Sequence, residues 1–312
     1  MRFPFKLAQN KEFDVVGFGT NAVDFLIVVP EYPKFNSKIE LTSYYQLAGG
    51  EVASTMVGLS RLGLKTAYVG RFGDDAAGDF GLQSLRNENV NLDYAEVILN
   101  SKTQIAFILI DEKSGERTVI WKRDNKLAYT EPPLDVADKG KVFHATAHDT
   151  KACILMAQKA KSGGTVVSID IDKPFNDIEK LIPLIDIFIS AEEFPEKLLG
   201  IEDKKKALRE IKSRYGCSIV GVTLGEQGSL ILCEDTFVET RGFSVPGGCK
   251  DTTGAGDAFR VGFLYGLLTG ETVERSAQIA NLVAALKCRQ IGARTALPTK
   301  EELYRFLSEL DR

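Results

Sequence analysis

Nine residues near the C-terminal end, Asp251-Thr252-Thr253-Gly254-Ala255-Gly256-Asp257-Ala258-Phe259, constrain the chain more than any other stretch. Val245, Pro246, Gly247 and Gly248 make an extended, turn-rich approach to it. Beyond it, apolar side chains at Phe259, Phe263, Leu264, Leu267 and Leu268 have the spacing of a mostly buried helix. Thr252 and Thr253 are acceptable caps, and Gly254, Ala255 and Gly256 let the backbone turn tightly into the first helical turn. A helix entered this way leaves N–H groups without partners at the positive end of its dipole, so it attracts an anion. Asp257 suits that dipole but would repel a resting phosphate. Local physics leaves two readings open. Asp257 is a capping acid on an ordinary buried helix, or it takes a proton from an attacking hydroxyl while a phosphoryl group passes over the amides.

The chain of 312 residues is long enough for a substantial core, in one large domain or two. Its 44% hydrophobic and 26% charged residues are ordinary for a globular enzyme. A net charge of −4 argues against a nucleic-acid partner, which needs a basic face, yet leaves room for a local basic pocket. Cys153, Cys217, Cys233, Cys249 and Cys288 show neither a C-x-x-C pair nor metal spacing, and read as reduced thiols of a cytosolic protein. Met1 to Lys6 lacks the apolar core of a signal peptide, and no run is long enough to span a membrane.

The Asp251–Phe259 stretch resembles the C-terminal signature of the PfkB-type carbohydrate kinases, the ribokinase-like family, whose pattern is D-T-T-G-A-G-D followed by a small-residue helix. The resemblance implies that Asp257 is the catalytic base and that the amides of Gly254, Ala255 and Gly256 form the anion hole. It also implies an α/β fold, a ribokinase-like three-layer α/β/α sandwich with a mostly parallel central sheet and a small β-sheet lid. The expected organisation is one catalytic domain over 1–312, with lid strands inserted at about 24–47 and 103–124.

In chain order, Gly17-Phe18-Gly19-Thr20-Asn21-Ala22 imitates a dinucleotide fingerprint, but that motif must open a helix. The β-branched run Asp24 to Pro30 reads as a second strand instead. By resemblance Asp24 hydrogen-bonds sugar hydroxyls, a task suited to a carboxylate that accepts two donors. Lys38 to Leu47 reads as a strand leading to Gly49-Gly50 and a helix ending Arg61-Leu62-Gly63, which resembles the family's N-terminal signature. Gly49, Gly50 and Ser54 are therefore substrate-binding candidates, with Ser54 standing where the family usually has Asn. Thr103–Asp111 and Arg117–Lys122 read as a hairpin completing the lid, with Lys122, Arg123 and Lys126 as a solvated turn.

From Val142 onward strands and helices alternate, the mark of a parallel sheet covered by helices. Asp170 and Asp172 fall at a strand's C-terminal end, where such sheets place ligands. By resemblance, Glu193 holds Mg²⁺ through water, and Thr223, Gly225 and Gly228 form the turn beside the nucleotide. Asn281 lies near the adenine edge, among Ala277, Ala280, Ala284 and Ala285. Asp251, Thr253 and Gly292 are candidates for a monovalent cation, K⁺. His144 and His148 read as structural or rim residues.

The resulting expectation is an ATP-dependent, Mg²⁺-assisted kinase acting on a hydroxymethyl group of a sugar or sugar-like substrate. The chain is expected to be cytoplasmic and homodimeric through the lid, with neither nucleic acid nor membrane as partner. A nucleoside acceptor is the alternative, stacked on Phe18, Phe25, Tyr44, Phe107 or Trp121. Phosphorylated sugars enter if Lys122, Arg123 or Lys126 turn inward, and a catalytically silent sugar-binding regulator is the reading from another class.

Overall fold

The computed structural model describes residues 1–310. Thirteen strands are present among them: β1 Phe13–Phe18, β2 Ala22–Val29, β3 Ser43–Gly49, β4 Thr66–Gly73, β5 Ala95–Ile98, β6 Ile105–Asp111, β7 Arg117–Lys122, β8 Gly140–Thr146, β9 Val166–Ile171, β10 Ile187–Ala191, β11 Ile219–Thr223, β12 Ser229–Cys233 and β13 Thr236–Thr240. The helices are α1 Glu51–Arg61, α2 Ala76–Asn87, α3 Thr150–Ser162, α4 Ile178–Leu181, α5 Phe194–Leu199, α6 Lys204–Tyr215, α7 Ala255–Leu268, α8 Val273–Lys287 and α9 Lys300–Leu310.

Nine strands form one sheet in the order β13-β12-β11-β10-β9-β8-β1-β4-β5. It is parallel from β5 to β11, while β12 runs antiparallel to both its neighbours. Alternate side chains of its strands bury on opposite faces, as a doubly covered sheet requires. Val15, Val142, Ile187 and Ile219 pack into one core with α1, α7 and α8, and Val16, Phe143, Phe188 and Val220 into another with α3 and α6. The result is a three-layer α/β/α sandwich. The second sheet has the order β3-β2-β6-β7, with β2 and β6 parallel. Leu26, Val28, Ala106, Ile108 and Ile110 bury its inner face, and Ala106 and Ile108 also line the cleft beneath it.

Local chemistry decides several elements, as expected in one case and against expectation in the others. The G-x-G-x-x-A imitation joins β1 directly to strand β2, with no helix between them. Strand β3 starts at Ser43 rather than Lys38, because its partner β2 ends at Val29 and Pro30 has no N–H to carry the ladder on. Helix α4 is a single turn followed by a 3₁₀ turn at Ile182–Leu184, with Pro183 removing a donor. Edge strands β5 and β13 were not anticipated: both are short and largely polar or half-exposed.

Helices α7 and α8 pack against each other at Gly262, where an added Cβ would stand 2.5 Å from the Ala280 Cα and 2.8 Å from the Ile279 carbonyl oxygen. These are backbone atoms, so no rotamer change relieves the overlap. Gly262→Val should destabilise the chain by at least about 1–3 kcal/mol, the usual cost of overpacking. Denaturant unfolding measures this, and a wild-type midpoint would mean the two backbones do not touch there.

Candidate active site

Between the two sheets lies a cleft of about 1370 Å³. A site for one small ligand spans roughly 300–1,000 Å³, so this one has room for two. Asp24 of β2 and Trp121 of β7 face it from the lid. Asp170 and Asp172 reach it from the end of β9, and Thr253 to Asp257 from the start of α7. The 223–228 turn and Asn281, Ala284 and Ala285 of α8 line its far end.

Gly254 caps α7 with φ 76°, a left-handed conformation that glycine adopts without strain. An added Cβ there would stand 2.8 Å from the Ala293 Cβ, so the closing loop packs tightly on the turn. The Ala255 N–H donates to the Thr252 carbonyl at 3.1 Å and is turned inward. Gly256 and Asp257 follow in the first turn, where amides have no partner within the helix, and both face the cleft.

Burial raises the Asp257 pKa well above the usual carboxylate range, and the negative charges of Asp170 and Glu51 push the same way. A hydrogen bond with Asp170 adds to the shift, and Arg260 opposes it. Arg260 was not anticipated as a site residue. It is 3% exposed, and its guanidinium donates to Asp170 Oδ1 at 2.9 Å, the Ile189 carbonyl at 2.8 Å and the Gly256 carbonyl at 3.0 Å. It thereby clamps the first turn of α7 to the ends of β9 and β10. In sequence it reads only as an arginine within an apolar helix.

Asp24 sits within β2 rather than at a strand junction, and its pKa is pushed up to about 7, chiefly by burial, with Arg294 opposing and Asp251 adding to the shift. Gly49 makes room for it, since an added Cβ would lie 1.9 Å from Asp24 Oδ2. Gly50 lines the cleft, whereas Gly49 and Ser54 do not. Ser54 is 1% exposed and its Oγ accepts from Arg294 Nε at 3.1 Å. Arg294 also donates to Ser84 Oγ at 2.8 Å and to the Gly49 carbonyl. Ser54, expected to contact substrate, thus faces a buried arginine rather than the cleft.

Glu193 also falls outside the cleft. Its exposed carboxylate takes Lys197 Nζ at 2.6 Å, in a neighbouring depression that Asp172 shares. Strand β10 ends at Ala191, and the turn into α5 carries Glu193 away from the sheet's ligand edge. Among the residues expected to hold a monovalent cation, Asp251 meets the side chain of Lys287. Lys287 Nζ donates to the Asp251 carbonyl at 2.7 Å and lies 3.8 Å from Asp251 Oδ2, with no exposed surface. The two Asp251 carboxylate oxygens already accept from the amides of Thr253 at 2.8 Å and Gly292 at 2.7 Å.

At the far end, Thr223, Gly225, Gly228 and Asn281 all line the cleft. The Asn281 amide nitrogen donates to Ser229 Oγ at 3.1 Å and to the Ala277 carbonyl at 3.0 Å. Of the aromatics considered as a shelf, Trp121 alone reaches the cleft. Phe18 is core, while Phe25, Tyr44 and Phe107 stack on the lid's outer face. Trp121 instead meets His148, with ring centroids 6.0 Å apart, and His148 meets Phe175 at 5.0 Å. His148 thus lines the cleft, while His144 is fully buried beside Ser168. Arg123 is taken by Asp149 through two contacts of 2.8 Å, and Lys126 by the Asn100 carbonyl, so neither turns inward.

Known proteins resemble this chain in sequence and in fold. The pattern of the pfkB family of carbohydrate kinases matches residues 13–300. An uncharacterized sugar kinase of Archaeoglobus fulgidus is 34% identical over 252 residues, covering 78% of this chain and 98% of that protein. A nucleoside kinase of Methanothermobacter thermautotrophicus is 24% identical over 309 residues, covering 96% and 98%. The structure of Arabidopsis thaliana ribokinase complexed with ribose and ATP superposes with a TM-score of 0.82 at 23% identity, covering 95% of this chain and 98% of that one. At that identity the likeness establishes the ribokinase-like fold.

A group with the surroundings of Asp257 accepts protons only above its raised pKa. The acid limb of kcat/KM should therefore lie above the ordinary carboxylate value of about 4, with activity lost as pH falls through it. Asp170→Asn removes a negative neighbour, so the limb should move to lower pH. Asp257→Asn should lower kcat by about 10²- to 10⁴-fold with ATP still bound. An unmoved limb in the Asp170 variant, or near-normal turnover in the Asp257 variant, would contradict the assignment.

Proposed function

Because the chain belongs to the pfkB family of carbohydrate kinases, we propose that it transfers the γ-phosphoryl group of ATP to a hydroxymethyl group of a sugar or sugar-like acceptor. One observation carries this reading: Asp257 stands in the first turn of α7, inside the cleft, with the lid's Asp24 on one side and the 223–228 turn on the other.

In the mechanism, Asp24 accepts hydrogen bonds from the acceptor's hydroxyls, and Asp257 takes the proton of the attacking hydroxymethyl group. The acceptor oxygen bonds to the γ-phosphorus as the bond from phosphorus to the β,γ-bridging oxygen breaks, and ADP leaves. The amides of Gly256 and Asp257 in the first turn of α7 donate to the phosphoryl oxygens in transit. The ribose and phosphates lie along Thr223, Gly225 and Gly228, with the base against Ala284, Ala285 and Asn281. Among the described residues no cluster of three or more His, Cys, Asp or Glu is arranged for a metal. This suits Mg²⁺ carried on the nucleotide phosphates, with Asp172 at the cleft wall able to reach it through water. It would neutralise charge on the phosphates. Lys287 supplies the positive charge at the Asp251 loop, so turnover needs no K⁺.

A nucleoside acceptor is the second reading, favoured by the Trp121–His148–Phe175 wall, whose ring faces suit a base. The five free cysteines, four of them buried, suit the reducing cytoplasm.

The lid's outer face exposes Tyr44, Phe107 and Ile120, at 53%, 43% and 59%, beside the partly covered Phe25. A contiguous apolar face of this kind suits a second copy of the chain. Light scattering should give twice the chain mass, falling to one for Phe107→Asp; a monomeric wild type would remove the pairing. ATP consumption with Mg²⁺ over hexoses, pentoses, keto-acid sugars and nucleosides tests the activity, and rates should be equal in Na⁺ and K⁺ buffers. Silence across the panel would refute the kinase, and a strict K⁺ requirement would refute the role of Lys287.

A further inference from the structure

We propose that Cys249 and Cys288 form a dithiol site on the cleft wall, which a small organic disulfide oxidises to an intramolecular disulfide, and that this bond switches the phosphotransfer site off. The site goes beyond the kinase reading, and only its effect on turnover rests on that reading.

Cys249 lies two residues before Asp251, and Cys288 is the residue on which α8 ends. The Lys250 N–H donates to the Cys288 carbonyl at 2.9 Å, which ties the two backbones together. Standard covalent dimensions then keep the two Cα atoms within roughly 8 Å, and a disulfide spans roughly 4.4–6.8 Å. The thiols themselves are hydrogen-bonding neighbours. Both line the cleft, with Cys288 on the same helical face as Ala284 and Ala285. Cys249 is half-buried and Cys288 only 6% exposed, so a reagent in the cleft meets Cys249 first. Cys153, Cys217 and Cys233 sit in the two cores and have no place in the cleft lining.

Joining the sulfurs needs movement, and the chain before Cys249 supplies it. Gly247 and Gly248 have φ of 78° and 84°, and a Cβ added to either would meet nothing within 4 Å. The lid is seated on the same loop. In the turn between β6 and β7, a Cβ added to Gly115 would stand 3.1 Å from Cys249 Sγ. The Gly115 carbonyl accepts from the Thr252 amide at 3.1 Å and from Thr252 Oγ1 at 3.2 Å. Drawing Cys249 toward α8 therefore disturbs both the lid's seat and the Asp251 loop that leads into α7. A misplacement of about 1 Å costs a transfer reaction about 10²-fold.

In the exchange, the Cys249 thiolate attacks one sulfur of the small disulfide, whose S–S bond breaks and releases one thiolate. The Cys288 thiolate then attacks the Cys249 sulfur of the mixed disulfide and releases the second. Two protein thiols are oxidised, one small disulfide is reduced to two thiols, and the protons of Cys249 and Cys288 end on them. Burial raises the pKa of both protein thiols, that of Cys288 to about 11, while Lys287 opposes and Asp251 adds to each shift. Thiolate is scarce at neutral pH, so the exchange there is slow and scales with the oxidant.

The test incubates the full chain with oxidised glutathione at mildly alkaline pH, quenches by alkylation and maps the unreduced peptides by mass spectrometry. One bond should appear, joining the peptides of Cys249 and Cys288 within a chain lighter by two hydrogens. Turnover with ATP, Mg²⁺ and an acceptor from the panel above should fall by about 10- to 100-fold and recover with dithiothreitol. Cys249→Ser should take no glutathione and lose no turnover, whereas Cys288→Ser should stop at the mixed disulfide on Cys249. The inference is overturned if both cysteines remain open to alkylation after treatment, or if the bond joins two chains. A cross-link that leaves turnover unchanged overturns it too, as does an equal loss of turnover in Cys249→Ser. If the serine variants do not fold, the wild-type map and the recovery with dithiothreitol decide. Absence of turnover in the reduced chain with every acceptor would refute the kinase and the off-switch with it, while the peptide map would still decide the cross-link.

Discussion

The guanidinium of Arg260 joins three segments that are distant in the chain. It holds the Asp170 carboxylate at the end of β9, the Ile189 carbonyl in β10 and the Gly256 carbonyl one turn back in its own helix. A charge this deep is tolerated only when it is paired, and the carboxylate and two carbonyls engage both terminal nitrogens while the buried Nε has no partner. These contacts of the terminal nitrogens fix where the α7 N-terminus stands relative to the sheet. That placement brings the first-turn amides and Asp257 to the same wall as Asp170. Asp170 therefore acts twice. It anchors the clamp, and through its charge it holds Asp257 more basic than an isolated carboxylate.

The opposite wall follows from steric economy. Gly49 leaves room for the Asp24 carboxyl, and its carbonyl is held by Arg294 from behind. Arg294, pushed down to about 10 by burial but supported by Asp24, stays a cation that the cleft does not see directly. The lid thus presents a carboxyl to the acceptor while the compensating charge lies in the layer beneath.

Much of the architecture was legible from local signals. Alternating strand and helix segments from Val142 onward gave the parallel sheet, and the Gly-Ala-Gly turn gave the start of α7. The strand after Ala22 excluded the dinucleotide reading because its β-branched run could not be a helix. What escaped was whatever depends on side-chain direction across the fold. Ser54 and Glu193 lie at expected chain positions, yet one faces Arg294 and the other faces Lys197. Arg260 and Lys287 carry no local signature at all, since each lies on a helix and its partners come from remote loops and strands. Glu51 stood in plain view beside Gly50, but that it turns into the cleft is decided by β8 and the lid packed around it. Motif spacing reports backbone paths well and the aim of long polar side chains poorly.

Lys287 brings its own consequence. Its ammonium lies at the last residue of α8 and meets the Asp251 carbonyl, while Asp251 itself gathers the amides of Thr253 and Gly292. A charge on a covalent tether cannot be rinsed out or exchanged for a competitor of different radius. If Lys287 fills the role proposed for it, the loop would be insensitive to which salt cation surrounds it, and it would not acquire its counter-charge after the helix has docked. Ordering of the loop and seating of α8 become one event, and a chain that has not completed its last helices has no finished turn on which to place a phosphate.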